Sequence, residues 1–331
     1  MKEILNHLFA HKKLTKSEAK DVIINISEGK YNDSQIAVFM GVYMMRSVSV
    51  EELSGFKQAL LELCVKVDLG GIESIDMCGT GGDGKNTFNI STASSFVVAG
   101  AGYNVTKHGN YGVSSISGSS NVLEHIGYTF TKDVDKLKRQ LDASKLCFIH
   151  APLFHPAMKT VAPIRRAIGV KTFFNMLGPL VNPARPTHQS VGVFSLELAR
   201  LYQYLFEQED CDYTILHSLD GYDEISLTDK AIAIERSKET IVTPSYFGLD
   251  TQISATDIYG GDTIEEAANI LLSVLRNTAT DSQQKVVLAN AGMAIKTFEK
   301  NMSIEDCCSA ARESIVSGNA YKVLTQSIDI N

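Results

Sequence analysis

From Met1 to about Val67 apolar residues recur three and four positions apart with no strand-like alternation, a rhythm that predicts four short helices. Thr15 precedes Glu18 by three and Ser49 precedes Glu52 by three, the spacing of capping boxes at helix starts. After Leu69-Gly70-Gly71 the pattern becomes short apolar run, loop, helix, repeated. Ser74 to Met77, Tyr103 to Thr106, Leu146 to Ile149, Ser190 to Phe194 and Tyr213 to Leu216 read as buried strands. Alternation of this kind builds a largely parallel sheet. Ile225 to Leu227 and Ala231 to Ile234 predict an antiparallel pair, and helices around Ile264 to Leu275, Gln283 to Phe298 and Ile304 to Ser317 close the chain. The fold class is therefore α/β: a small all-helical N-terminal domain, then a large domain with a mainly parallel central sheet flanked by helices. The expected boundaries are 1–69 for the helical domain, joined by helices from about 155–182, and 70–331 for the α/β domain.

A chain of 331 residues with 44% hydrophobic and 21% charged residues suits a soluble globular protein with a large core. Its net charge of −7 argues against wrapping nucleic acid or lying on an anionic membrane and favours a small-molecule ligand. The N-terminus lacks a long apolar run and Phe96 to Ala101 is too short to span a bilayer, so a cytoplasmic protein is expected. Six cysteines without a Cys-x-x-Cys pair suggest neither zinc nor a disulfide framework. Cys78 sits beside a glycine loop, and a small buried side chain at a strand end is the role expected of it. Tryptophan is absent, although Tyr numbers 12 and Phe 14.

The chemistry concentrates in Asp76 to Thr92, where Gly79, Gly81, Gly82 and Gly84 follow an apolar strand. Such a loop can turn its amides toward an anion. Asp83 would repel bare phosphate, so the ligand is expected to bring a cation or hydroxyls, as a phosphorylated sugar does. Gly79-x-Gly81-x-x-Gly84 also spells a dinucleotide fingerprint, but the next strand ends in Lys107 and His108, not an acid, and the best helix start is late, at Ser91-Thr92. The nucleotide-triphosphate spacing fails at Asn86, where Ser or Thr should follow Lys85. A glycine turn that binds nothing would leave Asp83, Asn89, Ser91 and Thr92 without a purpose.

Three further clusters follow. Lys107 to Gly112 and Ser114 to Asn121 offer a lysine, amides and hydroxyls for phosphate, or else a polar loop capped by Ser119 or Ser120. There His108 is expected to make contacts and not to transfer protons. In the stretch from His150 to Pro183, Arg165 can grip a carboxylate while Phe154, Met158 and Pro179 supply an apolar wall; Arg166 reads equally well as a solvated helix residue. Asp220, Asp223 and Glu224 lie in one turn, where Asp223 and Glu224 can bracket magnesium.

Six segments, Gly79-Thr-Gly-Gly-Asp83, Asn89-Ile-Ser91-Thr92, Lys107-His-Gly-Asn110, His155-Pro-Ala-Met-Lys159, Asn175 to Pro183 and Asp220-Gly-Tyr-Asp-Glu224, resemble the anthranilate phosphoribosyltransferase family, over about residues 5 to 325. The resemblance implies transfer of the phosphoribosyl group of 5-phosphoribosyl-1-diphosphate to anthranilate, releasing diphosphate, in tryptophan biosynthesis, on a nucleoside phosphorylase/phosphoribosyltransferase-like fold and as a homodimer through the helical domain. It implies that Gly79, Thr80, Gly82, Asp83, Thr87, Asn89, Ser91, Thr92, Lys107 and Ser119 hold the phosphoribosyl diphosphate, that Asn110 and Arg165 hold anthranilate, and that Ser91, Asp223 and Glu224 ligate Mg2+. No side chain is expected to be an obligatory acid or base; His108 and Arg165 are positioning candidates. Relative to the family, Tyr111, Ile116, Ser120 and Asn121 depart in the second loop, often at the cost of a cation. The alternatives are a pyrimidine-nucleoside phosphorylase, which would not need Arg165, and a non-catalytic nucleic-acid-binding relative, which the net charge and acidic turn oppose.

Overall fold

The computed structural model describes residues 1–112, 116–249 and 253–330, so Ser114 and Ser115 of the second loop lie outside the described residues. The chain divides into two compact units, one of residues 1–67 and 151–185, the other of 68–150 and 186–331.

The first unit carries the four helices expected before residue 67: Lys2–Phe9, Lys16–Ser27, Asp33–Met45 and Val50–Leu63. Both predicted capping boxes form, and a third pairs Asn32 with Gln35. The segment 151–185 adds the helix Met158–Ile168 and the short turn Phe173–Met176. Phe173 stacks on Phe56 at 4.5 Å and meets Phe39 and Tyr43 edge-on. Glu52, fully buried in this unit, accepts from the amides of Leu14 and Ser49, the Tyr43 hydroxyl and both terminal nitrogens of Arg46. Burial pushes its carboxyl up, but Arg46 and the two amides outweigh burial and hold it below the ordinary value.

In the second unit a sheet of seven strands runs through the described residues: β1 (Ile75–Gly79), β2 (Val105–Gly109), β3 (Leu146–His150), β4 (His188–Gly192), β5 (Asp212–Ser218), β6 (Ala231–Glu235) and β7 (Lys238–Val242). Their order is β3-β2-β1-β4-β5-β6-β7, parallel from β3 to β5 and antiparallel thereafter. Sequence order reverses between β1 and β4, so a crevice opens beyond their carboxyl ends, the usual ligand position in open α/β sheets. In register, Gly79 of β1 faces Gly192 of β4, and both strands end there. Helices Ile90–Gly100 and Asp281–Phe298 pack against one another over this sheet, burying Phe96, Val97, Val286 and Leu288.

Three sequence expectations are corrected. Ile225 to Leu227 is not a strand: Leu227 takes φ 59°, a left-handed angle no strand accommodates, and β6 pairs with β5 and β7 instead. Lys238–Val242 escaped notice because its residues are mostly exposed and polar. The helix after the glycine loop begins at Ile90 with Asn89 as its cap position, before Ser91-Thr92, and the next helix, Ser119–His125, is capped at Gly118 and not by Ser119 or Ser120.

Candidate active site at the β1–β4 edge

Beyond β1 the glycine loop folds through three left-handed residues, Gly81 (φ 65°), Gly82 (φ 79°) and Gly84 (φ 74°), which only glycine adopts without strain. The acidic turn after β5 comes to the same place. The Gly81 amide donates to Asp223 Oδ2 at 2.6 Å, and the Ser91 amide, at the start of helix Ile90–Gly100, donates to Glu224 Oε1 at 2.9 Å. Helix N-termini present unpaired amides and a positive dipole end, so a carboxylate is well placed there. Asp83 shares a hydrogen bond with Asp223 and its charge acts on both acids of the turn.

Close approach of the turn depends on the two strand-end glycines. A β-carbon at Gly79 would run into the Asp223 carboxylate, and one at Gly192 would overlap the Asp223 backbone carbonyl. The turn is also clamped from behind. Ser218 Oγ donates to the Glu224 carbonyl at 2.6 Å, and Asn290 brackets Ile225. Asp220 takes a different role from its neighbours, since its carboxylate accepts from the Thr228 hydroxyl. A small cavity of about 20 Å³ is lined by Gly79, Ser91, Ser190, Gly192, Asp223, Glu224 and Asn290 among others.

Gathering acids out of water raises the cost of their charge. Burial, followed by the charges of Glu224 and Asp83, holds the Asp223 carboxyl well above the ordinary range. Burial also pushes Glu224 up to about 7, opposed by its bonds to Ser91 and by the Lys107 charge. Among the described residues no group of three or more His, Cys, Asp or Glu could hold a metal ion alone. The two carboxylates and the Ser91 hydroxyl nevertheless suit Mg2+, which keeps several waters and binds through one or two carboxylates plus substrate phosphates.

The other anticipated residues fall as follows. Thr80 Oγ1 and Asn89 Oδ1 are buried and find no hydrogen-bond partner among the described residues, while the Asn89 amide nitrogen donates to the Ser117 carbonyl. Thr87 bridges to Tyr259. Thr92 is only 1% exposed within its helix. Lys107, almost fully buried, donates to the Met77 carbonyl at 2.5 Å, and the backbone amide of buried His108 donates to Asp76. The Asn110 carbonyl accepts from Ser119 Oγ and the Ser120 amide.

Of the four departing positions, three tie the second loop to the helix after it, to the end of β3 or to itself. Tyr111 donates to Glu124 at 2.7 Å and meets His150 edge-on, Ser120 Oγ lies 2.9 Å from His150 Nδ1, and Asn121 Oδ1 accepts from the amides of Gly112 and Gly118. Ile116 is exposed. At part-buried Cys78, burial and then the Asp76 charge hold the thiol well above its ordinary value, which disfavours the thiolate.

In the helical unit, Arg165 is half-buried and its Nη2 donates to Asn175 Oδ1 at 3.2 Å, with the guanidinium 5.6 Å from the Phe174 ring centre. Burial lowers its proton affinity without discharging it. Arg166 is exposed. Two contributors gave no local signal in the sequence: Asn290 lies in the middle of an ordinary helix, and Gly192 ends an ordinary apolar strand.

The glycine loop and acid pair meet at the strand reversal, and residues 2–64 and 72–321 match the helical bundle domain and the a/b domain of the glycosyl transferase family, which makes the chain a member of that class. An anthranilate phosphoribosyltransferase from Christiangramia forsetii is 58% identical over 97% of this chain and 96% of its own length, and one from Bacteroides thetaiotaomicron is 50% identical over 100% and 99%. The chain belongs to the anthranilate phosphoribosyltransferase family. Among solved structures, the Thermus thermophilus enzyme superimposes with a TM-score of 0.91 at 29% identity, covering 98% of each chain. The Saccharomyces cerevisiae enzyme in complex with PRPP and Mg also scores 0.91, at 26% identity over 98% of this chain and 96% of its own.

Proposed function

We propose that this chain transfers the 5-phosphoribosyl group from 5-phosphoribosyl-1-diphosphate to the amine of anthranilate, giving N-(5-phosphoribosyl)anthranilate and diphosphate, in tryptophan biosynthesis. The observation that carries the reading is the convergence of the glycine loop and the distant acid pair, tied by Gly81 to Asp223 and by Ser91 to Glu224. A loop of left-handed glycines can bind anionic oxygens, and ionised acids beside it favour a bridging cation. Asp223, Glu224 and Ser91 would hold Mg2+. Bound there, the ion would neutralise diphosphate charge and make it a better leaving group.

The remaining work is positioning. Gly79, Gly82 and the adjoining amides bind the diphosphate, and Asp83 accepts from a sugar hydroxyl. Thr80 Oγ1 and Asn89 Oδ1, the buried oxygens still to be paired, complete that contact set with Thr87, Ser91, Thr92, Lys107 and Ser119. In the α/β unit Asn110 is assigned to anthranilate; in the helical unit Arg165 is assigned to its carboxylate. No side chain takes the amine proton before attack, because an aniline nitrogen becomes acidic only once it has bonded to the sugar carbon.

In this reading residues 1–69, with about 155–182, act as the helical domain and 70–331 as the phosphoribosyl-diphosphate-binding domain. A homodimer through the helical domain is supported by the apolar residues it leaves exposed: Phe9, Val38, Met44 and Met45, the last at 89%. No helix among the described residues is long and apolar enough to cross a membrane, and a cytoplasmic site of action fits the proposed role.

The test is the loss of anthranilate fluorescence on adding phosphoribosyl diphosphate and Mg2+, each omitted in turn. Loss that needs all three supports the proposal; phosphorolysis of a pyrimidine nucleoside by inorganic phosphate, with no transfer to anthranilate, would replace it.

A further inference from the structure

Asn290 lies near the middle of helix Asp281–Phe298, nearly fully buried, yet its side chain makes three hydrogen bonds, two to one residue outside the helix and one within it. Its Oδ1 accepts the Ile225 amide at 3.1 Å, its Nδ2 donates to the Ile225 carbonyl at 2.8 Å, and the second Nδ2 hydrogen goes to the Val286 carbonyl at 2.9 Å. The pairing with Ile225 is reciprocal, as between neighbouring strands. A carboxamide presents a donor and an acceptor side by side at this length without having to take up a proton. Ile225 directly follows Glu224, and Asn290 and Glu224 line the same small cavity.

We infer that Asn290 is the positioning residue of the acidic turn, anchoring Ile225 so that Asp223 and Glu224 are held toward Gly81 and Ser91. The turn would otherwise have reason to move away. The charges of buried Asp223 and of part-exposed Glu224 and Asp83 oppose one another at close quarters. Against that repulsion stand the two backbone amides in front and, behind, Ser218 Oγ on the Glu224 carbonyl and Asn290 on both polar groups of Ile225. Of the rear restraints, Ser218 comes from β5 and Asn290 from a helix whose apolar residues between Val286 and Ile295 are packed in the core, so Asn290 ties the turn to that core. The helix thereby sets where a cation can be bracketed. The consequence for the cation rests on the proposed function; the consequence for the turn does not.

Asn290→Leu keeps the approximate shape and removes all three bonds; Asn290→Ala serves where leucine prevents folding, as judged by circular dichroism. The direct readout is amide hydrogen exchange in the enzyme alone. Faster exchange at Gly81, Ser91 and Ile225, with the rest of helix Asp281–Phe298 unchanged, is expected; wild-type protection at those three amides in a folded variant would overturn the inference, whatever the enzyme catalyses. The second readout is Mn2+ binding in the presence of phosphoribosyl diphosphate, followed by water-proton relaxation. Residues behind metal ligands typically govern roughly 10–100-fold in affinity, and a weakening of that size is expected with the KM for anthranilate unchanged. Unaltered Mn2+ affinity beside accelerated exchange would leave Asn290 a structural anchor only and overturn its functional role. Failure of wild-type enzyme to consume anthranilate would count against the proposed reaction, and the exchange result would stand apart from it.

Discussion

The backbone carbonyl of Asp223 occupies the space where a β-carbon of Gly192 would be, so the end of β4 and the acidic turn after β5 are in direct backbone contact. That contact brings the turn to the strand reversal, within reach of the glycine loop. Gly192→Ala must therefore push the turn outward. Overpacking of this kind costs about 1–3 kcal/mol, and displacement by roughly an ångström costs about a hundredfold in rate. A modest drop in melting temperature with a disproportionate loss of kcat is expected; an unchanged kcat would show that the contact is incidental.

The acid pair should matter far more than the histidine. Asp223→Asn combined with Glu224→Gln, assayed at saturating Mg2+, is expected to cut turnover on the order of a thousandfold, the equivalent of several kcal/mol of lost charge stabilisation. His108→Ala should stay below the roughly hundredfold minimum typical of losing a general acid or base. The opposite ranking would require a proton-transfer mechanism.

The same double substitution has a pH-dependent effect on stability. Asp223 and Glu224 are both raised in the folded state, Glu224 from 4.5 to about 7, by burial first and by neighbouring charge. A carboxyl raised on folding favours the fold below its unfolded value and loses that contribution as pH climbs through the folded one. Without substrate or cation, the wild type should therefore be less stable than the double variant at about pH 8, and the gap should shrink as pH falls and close only at about pH 4, near the unfolded carboxylate values. His150 and His155, both lowered to about 4 by burial, are common to the two proteins and cancel in the difference. Thermal melts across pH check this, and a gap independent of pH contradicts it.

Much of this was legible along the chain. The change of rhythm near Gly70, the five buried parallel strands and the glycine loop are local patterns, and each appears with its ends shifted by a few residues. The acid pair was legible as chemistry because two adjacent carboxylates in a turn are conspicuous. What escaped was whatever depends on distant partners. Nothing around Asn290 announces Ile225, which is 65 positions away. Asp220 looks equivalent to Asp223 until Thr228 is seen to engage it. Lys238–Val242 is exposed, and an exposed edge strand need not alternate in hydrophobicity.

Arg165 tests the assignment of the aromatic acid. Its guanidinium is half-buried and oriented by Asn175. Hydrogen bonds to charged groups are worth about 1.5–3 kcal/mol, so Arg165→Ala should raise the KM for anthranilate by roughly tenfold to a hundredfold. The KM for phosphoribosyl diphosphate should hold. A change confined to the diphosphate substrate would move Arg165 to the other ligand.

One buried carboxylate contributes to the stability of the helical unit beside its apolar core. Glu52→Ala strands Arg46 beside Tyr43, a loss at the lower end of the range for broken buried pairs, about 3 kcal/mol, because the Arg46 side chain keeps 19% exposure. Since Glu52 is depressed in the fold, its contribution is present above the ordinary carboxylate value and disappears as pH falls through the folded one. Urea melts at neutral and acid pH should show the variant's deficit shrinking in acid; a deficit that persists would assign it to packing.

The central claim is that one ligand is shared by the loop at Gly79 to Gly84 and the turn at Asp223 and Glu224. A crystal soaked with phosphoribosyl diphosphate and Mn2+ tests it most directly, through the anomalous signal of the metal. The account predicts a metal peak beside Asp223 and Glu224 with the diphosphate oxygens against the glycine loop amides. A diphosphate bound elsewhere, or a metal peak remote from both acids, would contradict it.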